Sequence, residues 1–277
     1  MTQEHKKPDF GRLFSSILEQ PGIIGDHYSL FHRYSLSNQA LAVEQMMMRG
    51  IEIGPISTFN GWKKLGRRVK KGEKALLLYM PITIRKKKDE QDKAQDDADE
   101  GLQDKTFTVF RLLPRWFAYA QTEPADDEHQ EQPPSSAPDW DQDLALSKLG
   151  IRLIPYDHVD GNCQGYAIPS QKEVAINPVA AFPHKTLFHE MAHCLLHRGD
   201  DAFTDTLDVN KCIKEAEAES VAFLCSAALG LDGLKEARGY VQGWLRDAED
   251  RELFMKQSAR RVFACADKIL KAGIADD

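Results

Sequence analysis

The stretch Lys185-Thr-Leu-Phe-His-Glu-Met-Ala-His-Cys-Leu-Leu-His197 decides how the C-terminal half of the chain is interpreted. Within it, His189 and His193 are four residues apart and therefore lie on the same face of a helix. Two imidazoles at this spacing can bind one Zn²⁺ ion, and the intervening Glu190 can act as general base on a water molecule at the metal. The neighbouring residues are largely apolar, as a buried helix requires. The stretch therefore predicts a metal-binding helix, and the alternative is a packed helix with two incidental histidines.

A tetrahedral zinc site needs a third protein ligand. On a continuous helix, His197 would lie about 12 Å along the axis from His189, too far to share its metal. We therefore predict that His197 supports the ligands from outside the coordination sphere. The segment 214–225 is predicted to form a buried acidic helix with Glu215 and Glu219 on one face, and buried carboxylates need partners or a metal. We predict that Glu215 is the third ligand and that Glu219 holds a ligand in place; Glu219 as the ligand, or neither residue, are the alternatives.

A strongly basic segment lies in the N-terminal half. Between Ser57 and Lys88 there are 11 basic residues against one acidic residue, although the whole chain has a net charge of −7. Such local positive charge predicts nucleic-acid binding, and single-strand binders combine it with aromatic rings on which bases stack. The alternatives are core packing for the tryptophans and a solvated loop for the lysines. The residues predicted to contact DNA are Asn38, Trp62, Lys63, Lys64, Arg67, Lys70, Lys71, Lys74 and Trp116.

The pattern of apolar residues predicts an α+β protein with two domains. We expect a small N-terminal α+β domain with an antiparallel sheet over residues 1–122 and a second domain over 144–277. The highly charged segment 86–105 is predicted to be a disordered insert, and the acidic, proline-rich segment 123–143 a linker. The predicted helices cover 10–19, 34–48 and 144–149, and the predicted strands cover 75–84, 106–110, 116–120 and 151–155, with a strand pair within 165–177.

The composition limits the possible locations and partners. No run of 18 apolar residues occurs, so no membrane partner is expected. The first residues lack the apolar core of a secretory signal. Five cysteines without a Cys-x-x-Cys pair are typical of free thiols in a reducing compartment. Together these features predict a cytoplasmic protein.

The metal-binding segments resemble a known class of peptidases. The run His189–His197, followed by Glu215-Ala-Glu-Ala-Glu219, is similar to gluzincin metallopeptidases and in particular to the ImmA/IrrE-type domain. The resemblance implies a zincin-like fold, a zinc ion (or another divalent ion such as Mn²⁺), a peptide substrate and a strand near residue 165 that pairs with it. By position alone, the candidates for stabilising an oxyanion are Tyr166, His184 and His197.

The N-terminal segments resemble a different family, the DNA-binding domain of ArdC-type antirestriction proteins. The order of the two parts is also that of ArdC, so the resemblance extends over most of the chain. It implies binding to single-stranded DNA and protection of incoming plasmid DNA from restriction. The matching residues are Tyr34-Ser-Leu-Ser-Asn-Gln39, Gln45, Arg49-Gly50, Thr58-Phe-Asn-Gly-Trp62, the basic run Lys63–Lys74 and Trp116-Phe-Ala-Tyr-Ala-Gln-Thr122.

Three hypotheses follow for the function. The first is an antirestriction protein that binds single-stranded DNA and carries a zinc peptidase acting on an unidentified, DNA-associated protein. The second is a non-catalytic protein that shields single-stranded DNA and keeps a structural metal site. The third is a peptidase that cleaves a repressor at a specific site.

Overall fold

The computed structural model describes residues 9–85, 106–125, 139–157, 163–197, 211–245 and 247–275. The predicted insert 86–105 and most of the predicted linker lie outside these ranges. Both described ends of the linker segment belong to the fold. Residues Thr122–Pro124 form a strand, and the ring of Trp140 packs 5.1 Å from that of Phe188.

The chain has the predicted α+β class, with helices and mainly antiparallel strands. The helices are α1 (Phe10–Glu19), α2 (Gly22–Gly25), α3 (Tyr28–Phe31), α4 (Leu36–Met48), α5 (Phe59–Lys64), α6 (Gln142–Leu149), α7 (Pro183–Leu196), α8 (Lys211–Ala228), α9 (Leu234–Trp244), α10 (Ala248–Leu253) and α11 (Ala259–Ala272). The strands are β1 (Ile56–Thr58), β2 (Arg67–Val69), β3 (Leu76–Arg85), β4 (Thr106–Ala118), β5 (Thr122–Pro124), β6 (Arg152–Leu153), β7 (Gly165–Ile168) and β8 (Glu173–Ile176).

The larger N-terminal sheet has the order β1-β4-β3, with both pairings antiparallel. The sequence predicted two separate strands where β4 is continuous. Pro114 interrupts the donor pattern there because it has no N–H to give to a ladder. Pro114 pairs with Leu77, next to a register shift at which Arg115 of β4 is skipped, and this irregularity lets β4 continue through the proline. A second, small sheet pairs β2 with β5, which ties the basic segment to the end of the N-terminal part.

The C-terminal part places a small sheet beside two long helices. The sheet order is β6-β8-β7, with β7 antiparallel to β8 at one edge. Helix α7 packs on β7 and β8, and α8 packs between α7 and α9. A Cβ atom on Gly165 would lie 2.7 Å from Cγ2 of Thr186, so glycine is needed for β7 to approach α7 this closely. Among the described strands, β7 is therefore an edge strand that packs on α7, the helix predicted to bind the metal.

Helix α11 joins both halves of the sequence in one hydrophobic core. The ring of Phe263 lies 6.2 Å from the rings of Phe10 and Phe14 on α1. The backbone N–H of Leu36, at the start of α4, donates a 2.8 Å hydrogen bond to Oδ1 of Asp267. The two-domain division stays a prediction from sequence, whereas the described helices from both parts bury their apolar sides together.

None of the helices in the described ranges is long and apolar enough to cross a membrane.

Candidate metal centre and basic surface

Helices α7 and α8 bring three potential metal ligands together. The Nε2 atoms of His189 and His193 are 3.1 Å apart. Oε2 of Glu215 lies 3.4 Å from Nε2 of His189 and 3.7 Å from Nε2 of His193. Ligands about 2.0–2.1 Å from a tetrahedral Zn²⁺ ion are about 3.3 Å from each other. The donor set and its spacing therefore fit a divalent cation, and these are the three residues predicted as ligands.

Local sequence explains this convergence. Pro183 is the first residue of α7, where its missing N–H costs nothing and its fixed φ favours helix initiation. The spacing of four residues then aligns His189 with His193. On α8, Ala216, Ala218 and Ala222 are completely buried, and their small side chains allow the two helices to pack closely. Glu215 is thereby brought within reach of both rings.

Glu219 contacts the second ring nitrogen of His189, and its role in supporting a metal ligand stays a prediction. Nδ1 of His189 lies 3.0 Å from Oε2 of Glu219. Oε1 of Glu219 lies 2.6 Å from Nζ of Lys185, one turn earlier on α7. With Nδ1 donating to this carboxylate, Nε2 keeps its lone pair for a metal, an arrangement that commonly orients histidine ligands. The sequence reasoning did not identify Lys185 as part of this site.

His197 contacts a ligand histidine, not the ligand atoms. Helix α7 ends at Leu196, and Nδ1 of His197 lies 2.9 Å from Nδ1 of His193. Nε2 of His197 lies 2.9 Å from Oε2 of Glu217, whose side chain is fully buried. The supporting role of His197 outside the coordination sphere stays a prediction. Since both of its ring nitrogens are engaged, His197 has no free N–H for an oxyanion.

Glu217 was missed by the sequence analysis. It lies two residues from Glu215, so a single helical stripe excludes it. Its partners, His197 and Arg261, belong to α7's end and to α11, and no local pattern links them.

The three converging side chains favour a positive charge at this site. Burial lowers the pKa of His189, but hydrogen bonds to Glu215 and then Glu219 outweigh it and raise this pKa to about 9. The same contacts, with His189 first and His193 second, hold the pKa of Glu215 well below its usual range. Burial raises the pKa of Glu190 above its ordinary value, with the two histidines acting in the opposite direction. A proton on His189 therefore occupies the electrostatic position of a cation.

The remaining oxyanion candidates have other surroundings. The hydroxyl of Tyr166 donates a 2.7 Å hydrogen bond to Oδ1 of Asp157. His184, on the first turn of α7, is exposed.

The basic segment is largely on the surface. Lys63, Lys64, Lys70, Lys71 and Lys74 are all exposed. Lys70 donates a 2.8 Å hydrogen bond from Nζ to the Ala120 carbonyl. Within the described residues, no ion pair involves the side chains of the other four lysines. Four positive charges are therefore available to phosphate groups.

Arg67 differs from the predicted DNA-contacting lysines because it is buried. Its Nε donates a 2.8 Å hydrogen bond to Oγ1 of Thr122, and its guanidinium lies 3.9 Å from the ring centre of Tyr119. Asn38 is also engaged internally, since its side-chain amide exchanges hydrogen bonds of 3.0 Å and 2.8 Å with the backbone of Tyr79. Arg67 is only 5% exposed and Asn38 is partly buried, so the polar contacts described for both residues lie within the N-terminal fold.

The two predicted stacking residues are in the core. Trp62 is 0% exposed, and its Nε1 donates a 2.8 Å hydrogen bond to the Phe117 carbonyl. Trp116 is 8% exposed and lies in β4. Short helix α5 is held to the sheet by the Trp62 ring, whose N–H must find a partner once it is buried. Because both rings are buried, neither can stack on a base, and the stacking role predicted for Trp62 and Trp116 is not possible in this fold.

A different aromatic residue is exposed beside the lysines. Phe59, the first residue of α5, is 56% exposed and lies one helical turn before Lys63. The side chain of Thr58 caps α5 by accepting a 3.1 Å hydrogen bond from the N–H of Gly61. A threonine at this position is a sequence signal for the start of a helix. The signal identifies Phe59 as the first residue of α5.

Comparisons with known proteins agree with the fold. Residues 19–111 match the family described as the N-terminal domain of anti-restriction factor ArdC. The chain is similar to the metal-free crystal structure of antirestriction protein ArdC from plasmid R388, with a TM-score of 0.53 and 21% identity over 95% of this chain and 94% of that chain. The Mn(II)-bound structure of that protein gives a TM-score of 0.49 and 18% identity, covering 95% of each chain. No curated protein matches the chain significantly.

Proposed function

We propose that this chain, whose residues 19–111 match the N-terminal domain of anti-restriction factor ArdC, is an ArdC-type protein that binds single-stranded DNA and hydrolyses a peptide bond in a DNA-associated protein. The observation that carries the peptidase part is the convergence of His189, His193 and Glu215 within 3.7 Å of one another. Both histidines also have their Nδ1 atoms engaged, which leaves each Nε2 directed to one point. Packing of the two helices alone does not require these three partly buried polar groups to lie so close together.

In the proposed reaction, His189, His193 and Glu215 hold the cation, either Zn²⁺ or another divalent ion such as Mn²⁺. When bound, such an ion lowers the pKa of a water molecule and polarises a carbonyl group. Glu190, which is 7% exposed beside the ligands, accepts the proton from the attacking water and delivers it to the leaving amine. Its buried environment, which raises its pKa, favours both the uptake and the return of that proton.

An extended peptide is the substrate that this site is suited to bind. Strand β7 is at the edge of the described sheet and packs directly on α7. A peptide that pairs with this free edge gains backbone hydrogen bonds and lies along the helix that carries the ligands. Close packing of Gly165 on α7 supports this role by keeping the edge near the metal centre.

The basic surface supports the DNA-binding part of the proposal. Exposed Lys63, Lys64, Lys71 and Lys74 can neutralise phosphates, and Phe59 can stack on a base. The lysine contacts carry no base specificity, so the affinity should fall strongly with salt and depend weakly on sequence. Equal affinity for a single-stranded oligonucleotide at low and moderate salt would contradict this interpretation.

A plasmid-transfer assay can test both parts together. It compares the unaltered protein, Glu190→Gln and the double charge reversal Lys63→Glu/Lys64→Glu in restricting recipient cells. We expect both variants to lose protection, while Glu190→Gln keeps about one metal ion per chain, because Glu190 is not among the three groups that converge on the metal. Protection that survives Glu190→Gln would favour the non-catalytic, DNA-shielding hypothesis. Protection that survives the charge reversal would contradict the DNA-binding surface.

A further inference from the structure

A line of buried polar groups runs from the metal ligand His193 to helix α11. Nδ1 of His193 lies 2.9 Å from Nδ1 of His197, within hydrogen-bond distance. Nε2 of His197 lies 2.9 Å from Oε2 of Glu217. Oε1 of Glu217 lies 3.4 Å from Nε of Arg261, an ion-pair contact. Nη2 of Arg261 also donates a 2.8 Å hydrogen bond to the carbonyl of Leu196, the last residue of α7. The side chains of His197 and Glu217 are only 4% and 0% exposed.

The protons along this line can be assigned from hydrogen-bond rules. An ionised carboxylate accepts only, so Glu217 requires an N–H on Nε2 of His197. A neutral His197 then has a bare Nδ1, which accepts from Nδ1–H of His193. His193 in turn has no proton on Nε2. The carboxylate of Glu217 thus acts through the ring of His197. It determines that Nε2 of His193, which faces the metal site, has a free lone pair.

The same pattern occurs on the other ligand. His189 reaches the carboxylate of Glu219 directly, and Glu219 contacts the cation of Lys185. On the His193 side, the carboxylate is Glu217 and the cation is Arg261, with one histidine inserted between ligand and carboxylate. Each ligand histidine is therefore oriented by a buried acid that is itself paired with a basic side chain. A fully buried carboxylate without such pairing would cost several kcal/mol.

We propose that Glu217 is a positioning residue for the metal: acting through His197 and paired with Arg261, it fixes the ring orientation and tautomer in which His193 binds the cation. This inference rests on the metal site of the proposed function. It assigns a role in metal binding to α11, which contributes no ligand of its own.

Cobalt(II) binding can test the proposal without any substrate. The affinity of the purified full-length protein for Co²⁺ is measured by visible absorption and by competition with a chelator. In Glu217→Gln, the amide can present either an oxygen or an NH₂ group to His197, and the NH₂ group would force the wrong tautomer on both rings. We expect Co²⁺ affinity to fall about 10- to 100-fold, as for other residues that orient metal ligands. Glu236→Gln, on the exposed face of α9, is the matched control and should bind Co²⁺ as the unaltered protein does.

A double-mutant cycle separates positioning from simple structural support. In a His197→Phe background the connection to His193 is already broken, so adding Glu217→Gln should cause no further loss of Co²⁺ affinity. Losses that multiply in the double variant would overturn the proposal. If Glu217→Gln alone fails to fold, the double variant Glu217→Gln/Arg261→Met also removes the guanidinium that faces residue 217. Unchanged Co²⁺ affinity in that double variant would overturn the proposal as well. An unaltered protein that binds no Co²⁺ would refute the metal site itself, whereas normal binding by both it and Glu217→Gln would refute only the role of Glu217.

Discussion

Asp267 connects α11 to the start of α4, and replacing it with asparagine should make the protein more stable at neutral pH. Its Oδ1 accepts the N–H of Leu36 at 2.8 Å, and no side chain within α4 caps that helix, since Ser35 at its N-cap makes no such bond. Burial raises the pKa of Asp267 from 3.8 to about 6, although the Leu36 hydrogen bond and Lys271 oppose the rise. The folded protein therefore binds this proton more tightly than the unfolded chain does.

The magnitude follows from that rise. Each pKa unit corresponds to about 1.4 kcal/mol, so the shift from 3.8 to about 6 amounts to about 3 kcal/mol. The contribution is fully favourable below the unfolded pKa of 3.8, is lost as the pH rises through about 6, and stays absent above it. Asparagine resembles the protonated carboxyl and retains an oxygen for Leu36, so it avoids this loss. It also gives up a helix N-terminal charge interaction of about 0.3–1 kcal/mol, which leaves an expected gain of about 2 kcal/mol.

Urea unfolding at pH 4, 5, 6 and 7 measures the effect. The difference in unfolding free energy between Asp267→Asn and the unaltered protein should be near zero at pH 4 and increase to about 2 kcal/mol by pH 7. Asp141→Asn is the control, because Asp141 also caps a helix but is exposed to solvent. A difference that is constant with pH, or an Asp267→Asn protein that is less stable at pH 7, would refute the burial argument.

Three further outcomes are expected. The pKa of His189 is about 9, so a proton on this ring competes with the cation and metal affinity should increase between pH 6 and 9. Calorimetry in buffers of different ionisation enthalpy should detect the released proton. Metal affinity that does not change over this range would contradict the competition. Gly165→Ala would bring Cβ within 2.7 Å of Cγ2 of Thr186, so unfolding by urea should show a loss of about 1–3 kcal/mol, and an unchanged midpoint would mean that β7 can move away freely. Phe59→Ala should weaken oligonucleotide binding by about 1–3 kcal/mol. Trp62→Phe removes a buried N–H donor, so it should lower the stability of the protein but leave the DNA affinity of the folded protein unchanged. Fluorescence-anisotropy titrations that give the reverse pattern would identify Trp62 as the stacking residue.

The clustering of His189, His193 and Glu215 could be predicted because it depends mainly on helix geometry. His189 and His193 are one turn apart, and Glu215 and Glu219 share one face of α8, so spacing alone brought them onto facing surfaces. The α+β class could likewise be predicted from local apolar patterns. These features need only the periodicity of single elements.

The features that sequence reasoning missed depend on contacts between distant elements. Trp62 is covered by β4, whose Phe117 carbonyl accepts its N–H, and nothing in the segment around Trp62 signals that partner. Arg67 sits in a basic run that would otherwise be solvated, but the ring of Tyr119 and the side chain of Thr122 hold it inside. Glu217 contacts Arg261, which lies on α11, 44 residues later in the chain. Charge and aromatic content can thus single out a basic segment without identifying which of its residues reach solvent.

The shared packing on α11 bears on how this gene can vary through recombination. A crossover between residues 125 and 139 would give the N-terminal helices a new α11, and the rings of Phe10 and Phe14 would meet a surface that did not evolve with them. Asp267 would have to accept a hydrogen bond from the N-terminus of an α4 that comes from a different parent protein. Chimeras exchanged at this point should therefore be rare among viable descendants, and the two parts should be inherited together despite their different chemistry.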